Sequence, residues 1–139
     1  MIAVEREDIL ERLPLKAEID IVHIRQLVRV RAKEYGMGLV DQTRITTAAS
    51  EILRNMYVHA DGGEATISAV SVQGRRGLMV TCRDRGPGIP DIQLAMQDGY
   101  STADSLGCGL PGASRLVDRM ELDSAVGQGT TVQLLKYLP

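Results

Sequence analysis

The stretch EATISAVSVQGRRGLMVTCRD (64–84) constrains the fold more than any other part of the chain. It holds two runs of strand-forming residues, many of them β-branched, on either side of a Gln-Gly-Arg-Arg-Gly turn. That pattern predicts a hairpin, and a hairpin commits at least part of the sheet to antiparallel pairing. The second run then stops on one acid, Asp84, followed by RGPGIP (85–90). Ending a buried strand on a carboxylate and holding the next backbone open with glycine is a combination that asks for a reason.

Helical spacing surrounds the hairpin. Asp20 to Tyr35 carries apolar residues at Ile21, Ile24, Leu27, Val28 and Ala32 and stops at Gly36. Asp41 to Ala60 has Ile45, Ala48, Ala49, Ile52, Leu53 and Met56 on one face, and DGG (61–63) ends it. LERLPLKAEI (10–19) reads as a short strand whose proline belongs at a sheet edge. A short helix is expected over Asp91 to Gln97, a polar loop over 98–107, and a third long helix from Leu110 to Arg119. Strands Met120 to Ala125 and Thr130 to Tyr137, joined by VGQG, complete the order. The sum is a single domain over 1–139: an α/β two-layer sandwich, helices on one face of a mixed or antiparallel sheet.

Composition removes several function classes. Apolar residues make up 44% of the chain, but Phe and Trp are absent, so the core is built from Leu, Ile, Val, Met and Ala. Four tyrosines and a net charge of −2 make neither a base-stacking platform nor a field that recruits nucleic acid. Cys82 and Cys108 form no metal or redox spacing. No leader-like segment and no apolar run of about 18 residues is seen, so a cytoplasmic domain that binds no membrane is expected.

Three further features carry chemistry. GCGLPG (107–112) matches G-x-G-x-x-G, but the preceding YSTADSL is too polar for the central strand that a dinucleotide fingerprint needs. What remains is a glycine backbone at a helix start, which suits a phosphate or a capping turn equally. Asp84 can accept a hydrogen bond from the amino group of a base, or cap the strand in an Asx turn. Glu51, Asn55 and His59 fall along one helix face. Asn offers a neutral oxygen to Mg²⁺ and Glu can polarise an attacking hydroxyl, so Glu51 is the candidate general base. His59 reads as a helix-end residue and His23 as an ordinary surface or core histidine.

Taken in order, E-x-x-x-N (51–55), D-x-G-x-G (84–88), G-x-G-L (107–110) and G-x-G-T-T (127–131) resemble the ATP-binding boxes of the GHKL superfamily, which is built on the Bergerat fold. The resemblance implies that Asp84 contacts adenine N6, that Gly86, Gly88 and Ile89 shape the pocket, and that Asn55 helps hold Mg²⁺. It implies lid and phosphate contacts from Gly107, Gly109 and Leu110, and closure of the adenine end by Gly129 and Thr130, the latter through water. The stretches DRGPGIPD, QDGYST, LGCGLPGASRLVD and GQGTTV look most like the anti-sigma-factor serine/threonine kinases of the RsbT type, the stressosome switch kinases. Cys108 departs from the small or aliphatic residue expected there.

The implied activity is transfer of the ATP γ-phosphate to Ser or Thr of a STAS-domain protein, RsbS- or RsbR-like. Binding of a PP2C-type, RsbU-like phosphatase regulator would follow. Two alternatives stand beside it: an RsbW- or SpoIIAB-like anti-sigma factor that also sequesters a sigma factor, and a nucleotide-switched binding module without phosphotransfer.

Overall fold

The computed structural model describes residues 1–60, 62–88 and 109–139. Its centre is the expected hairpin, β2 (Gly63–Val72) and β3 (Arg75–Arg83), paired from Glu64 opposite Arg83 to Val72 opposite Arg75. The turn is tighter than the sequence suggests. Gln73 and Gly74 alone make it, with φ of 51° and 75°. Positive φ at both central residues suits the right-handed twist of the strands. Arg75 and Arg76 therefore belong to β3 rather than to the turn, and the Arg75 guanidinium lies 4.0 Å from the centre of the Tyr137 ring.

Around the hairpin run β1 (Arg6–Leu15), α1 (Glu18–Glu34), α2 (Leu39–Ala60), α3 (Gly109–Leu116), β4 (Arg119–Ala125) and β5 (Gly129–Tyr137). The five strands lie in the order β1-β2-β3-β5-β4, and every ladder is antiparallel. Of the two sheet types expected, the antiparallel one is found. Pro14 sits on β1, an edge strand, where a missing N–H costs no ladder bond. The register shifts between Ile9 and Glu11. β1 begins at Arg6 and ends at Leu15, because residues 16–19 turn into α1 instead of continuing the strand.

Two helix boundaries differ from the sequence reading for local reasons. Helix α1 starts at Glu18, so Asp20 lies in its first turn. There its carboxylate accepts the N–H groups of Lys16 (2.8 Å) and Ala17 (2.9 Å). These two bonds hold the Asp20 carboxyl below its usual range. Helix α3 ends at Leu116, not at Arg119, because Asp118 N–H bonds to the Leu135 carbonyl and delivers Arg119 into β4. The short helix expected over Asp91 to Gln97 and the loop 98–107 lie outside the described residues.

One sheet face carries the helices. Ala65 and Ile67 of β2, Leu78, Val80 and Cys82 of β3, and Val132 and Leu134 of β5 point into a core closed by Ile24, Val28 and Ala32 of α1, Ile45 to Met56 of α2 and Ala113 of α3. The opposite face has its own small cluster of Val70, Val72, Met79 and Leu135, covered by Ile2. The N-terminal segment is tied there by Ile2 N–H to Gln133 Oε1 (2.9 Å) and Glu5 N–H to the Ser71 carbonyl (2.8 Å). At one end of β5 the buried Lys136 ammonium lies 3.4 Å from Asp118 and 3.6 Å from Asp41. It joins β5, the α3–β4 corner and the start of α2. No helix among the described residues is long and apolar enough to cross a membrane.

Candidate functional site

The period of β3 determines where Asp84 points. Val80 and Cys82 face the helices, and Asp84 follows in the same alternation just beyond the last strand residue. It is 8% exposed. Its Oδ1 accepts two backbone hydrogen bonds, from Gly86 N–H at 2.9 Å and Thr130 N–H at 3.1 Å. Its own N–H donates to the Thr130 carbonyl at 2.9 Å. The Asx turn weighed from sequence is therefore present, and it occupies one carboxylate oxygen. No described residue donates to Oδ2. The Asp84 charge and burial together push the Cys82 thiol up to about 12, burial being the larger cause.

Two glycines make this corner possible. A Cβ on Gly86 would stand 2.4 Å from Ala60 Cβ, at the last residue of α2. Gly129 has φ of +90°, and a Cβ there would stand 2.1 Å from the Asp84 carbonyl oxygen. What these residues admit within the fold is close backbone approach, of the β3 exit to α2 and of β5 to the β3 exit. For Gly86 that neighbour is the end of α2. Gly88 packs against Ala125, and Gly127 N–H donates to the Pro87 carbonyl at 2.9 Å, so the β4–β5 turn leans on the same loop.

Thr130 opens β5 on the helix-facing side. Its hydroxyl lies 2.7 Å from the Ser124 hydroxyl, directly opposite on β4. Ser124 Oγ also donates to the Gly129 carbonyl at 3.2 Å. Sequence reasoning passed over Ser124. One cue was there: the inward positions of β4 read Met120, Leu122 and then a hydroxyl.

Along α2, Glu51 and Asn55 are half-buried and His59 is exposed. Among the described residues neither Glu51 nor Asn55 has a hydrogen-bond or ion-pair partner. A helix advances about 1.5 Å per residue. Asn55 therefore stands roughly 7.5 Å, and Glu51 roughly 13.5 Å, back along the axis from Ala60, where the Asp84 loop rests. A carboxylate, an amide and a second carboxylate thus follow one another beside the sheet. Among the described residues no three His, Cys, Asp or Glu side chains gather round a metal-sized point. Gly109 begins α3 with φ of 55° and is buried, and Leu110 is half-buried against the core. Ile89 and Gly107 lie outside the described residues, as does Cys108.

Comparison with known proteins covers most of the chain. Residues 40–139 match the family model of the histidine kinase-, DNA gyrase B- and HSP90-like ATPases. The serine/threonine-protein kinase RsbT of Bacillus subtilis is 51% identical over 124 residues, 89% of this chain and 93% of that one. An anti-sigma F factor of Geobacillus kaustophilus is 35% identical over 101 residues, 69% of either chain. A crystal structure of RsbU and RsbW domains from Mycobacterium tuberculosis superposes with a TM-score of 0.63 at 20% identity. It takes in 96% of this chain, which spans 32% of that longer one, and shows likeness of fold alone.

Proposed function

The chain belongs to the histidine kinase-, DNA gyrase B- and HSP90-like ATPase family, and on that premise we propose that it moves the γ-phosphate of ATP to a serine or threonine of a STAS-domain partner. It is a serine/threonine protein kinase of the RsbT type, with the GHKL fold expected from its motifs. The observation that carries the site assignment is the pairing of a half-committed carboxylate, Asp84 at the end of β3, with two side chains of α2, Glu51 and Asn55, that have no partner among the described residues.

Each residue then has one task. Asp84 Oδ2 accepts the adenine amino group while Oδ1 keeps the loop in place. Asn55 suits Mg²⁺, which takes few protein ligands and completes its shell with phosphate and water. When bound, the ion neutralises phosphate charge. The Glu51 carboxylate accepts the proton of the incoming hydroxyl as its oxygen bonds to the γ-phosphorus and the bond from that phosphorus to the β,γ-bridging oxygen breaks, releasing ADP. Positioning and charge supply most of the acceleration, since phosphoryl transfer needs little covalent chemistry from the protein. Ile89, Gly88, Gly107, Gly109, Leu110 and Gly129 complete the nucleotide's surroundings in this reading. A PP2C-type regulator is the second partner, and the cytoplasm, where ATP is plentiful, is the setting.

The test is incubation of Mg·ATP labelled on the γ-phosphate with a STAS protein. Glu51→Ala should lower transfer by roughly 10²- to 10⁴-fold while leaving ATP affinity within about threefold. Nucleotide binding without transfer in the wild type would instead favour a switched binding module. The likeness to anti-sigma F factors supports a second reading, sequestration of a sigma factor. A pull-down against a sigma subunit and against a PP2C regulator separates the two.

A further inference from the structure

We propose that Ser124 is a positioning residue for base selection: it takes the Thr130 hydroxyl proton and leaves the Thr130 oxygen an acceptor only. This rests on the reading above, in which the Asp84 end holds the base. Ser124 and Thr130 are register partners, and both share the parity of inward residues, Met120 and Leu122 on β4 and Val132 and Leu134 on β5. They stand on the same side of the sheet as Asp84.

The direction of the hydrogen bonds follows from counting protons. Ser124 Oγ lies 3.2 Å from the Gly129 carbonyl, which can only accept. Ser124 Oγ is the donor in that contact. In the 2.7 Å contact between the two hydroxyls Thr130 is then the donor and Ser124 the acceptor. What remains on Thr130 Oγ1 is lone-pair capacity. Asp84 Oδ2 is likewise an acceptor, and the Thr130 N–H that might have served as a donor is held by Asp84 Oδ1 at 3.1 Å.

Among the described residues, the Asp84 and Thr130 side chains at this corner therefore offer acceptors. Such a rim suits a ring bearing an exocyclic amine, or a water that must donate inward. It opposes a ring bearing a carbonyl at the same position. Without Ser124 the Thr130 hydroxyl is free to rotate and present its proton to that carbonyl. Ser124 thus acts on selectivity through Thr130, without touching the nucleotide.

The experiment compares Mg·ATP with Mg·inosine triphosphate, which exchanges the 6-amino group for a carbonyl, by calorimetry. The wild type should prefer ATP. Ser124→Ala should narrow the ratio of the two affinities roughly three- to tenfold, and Ser124→Thr should restore it. In a Thr130→Val background Ser124→Ala should change the ratio no further. A purely structural role would lower the melting temperature and weaken both nucleotides alike, leaving the ratio unmoved. An unchanged ratio in folded Ser124→Ala, or a shift that persists without the Thr130 hydroxyl, overturns the inference. Should the alanine variant not fold, Ser124→Cys, close in size and a weaker donor, makes the same comparison. If the wild type binds ATP and discriminates while the variants do so equally, Ser124 alone is misassigned. If it binds neither nucleotide, the nucleotide reading fails with it.

Discussion

Replacing Asp84 by alanine and by asparagine separates its task in holding the loop from the base reading proposed for it. Alanine leaves the Gly86 and Thr130 N–H groups without the oxygen they reach at 2.9 and 3.1 Å. Hydrogen bonds to a charged acceptor contribute about 1.5–3 kcal/mol each, and water entering the opened corner recovers part. Asp84→Ala should therefore destabilise the fold by about 2–4 kcal/mol. In a domain of this size that lowers the melting temperature by roughly 8–16 °C. Asparagine keeps an oxygen for both donors, and those donors fix which way its amide points. Its cost should be nearer 1 kcal/mol. The same orientation puts an NH₂ group where Oδ2 stood, donor against donor at the adenine amine. ATP affinity should fall roughly ten- to a hundredfold in both variants, and asparagine should bind no better than alanine. Thermal melts followed by circular dichroism read the first effect and calorimetry the second. An Asp84→Ala protein that melts with the wild type would refute the structural part. An Asp84→Asn protein that binds ATP normally would refute the base-reading part.

Three further outcomes can be checked without nucleotide. Lys136→Met keeps an apolar stem in a buried slot and loses ion pairs to carboxylates that are about a third exposed, so urea unfolding should show a loss of only about 1 kcal/mol. Asp118→Ala should cost more, about 2–3 kcal/mol, because it weakens the support of a buried ammonium and strips the Tyr137 N–H of its 2.7 Å acceptor. Cys82, with its thiol pushed up to about 12, stays protonated and enclosed in the folded protein. Iodoacetamide at pH 8 followed by peptide mapping should label Cys82 only after denaturant is added.

The sequence made some of this legible and hid the rest for identifiable reasons. The β2–β3 hairpin was visible because both strands are buried and β-branched. Its turn was misjudged because Arg75 and Arg76 look turn-like alone, whereas in the fold Arg75 lies over Tyr137 from a distant strand. The start of β1 was missed because REDI lies on an exposed edge, where few apolar residues are required. Arg119 was assigned to a helix because only the Asp118 contact to Leu135 shows that the helix has ended. At the site, Asp84, Asn55 and Thr130 stood out through their motifs. The bond joining Asp84 to Thr130 spans 46 residues, and no local pattern announces it. That bond also shows why Asp84→Ala is a poor probe of binding alone, a point the motif could not have given.

The position of β5 has a consequence for how the protein is assembled. It follows β4 along the chain yet lies between β3 and β4 in the sheet, so it fills an interior slot instead of adding to an edge. Until it docks on β3, Asp84 lacks one of its two Oδ1 donors, although the Thr130–Ser124 pair already belongs to the local β4–β5 hairpin. The Asp84 corner is therefore completed only through the long-range β3–β5 pairing, of a kind that forms slowly. Nucleotide that engages only the finished corner would favour the inserted strand by mass action. Cellular ATP would then act as a folding ligand for this kinase as well as its phosphate source.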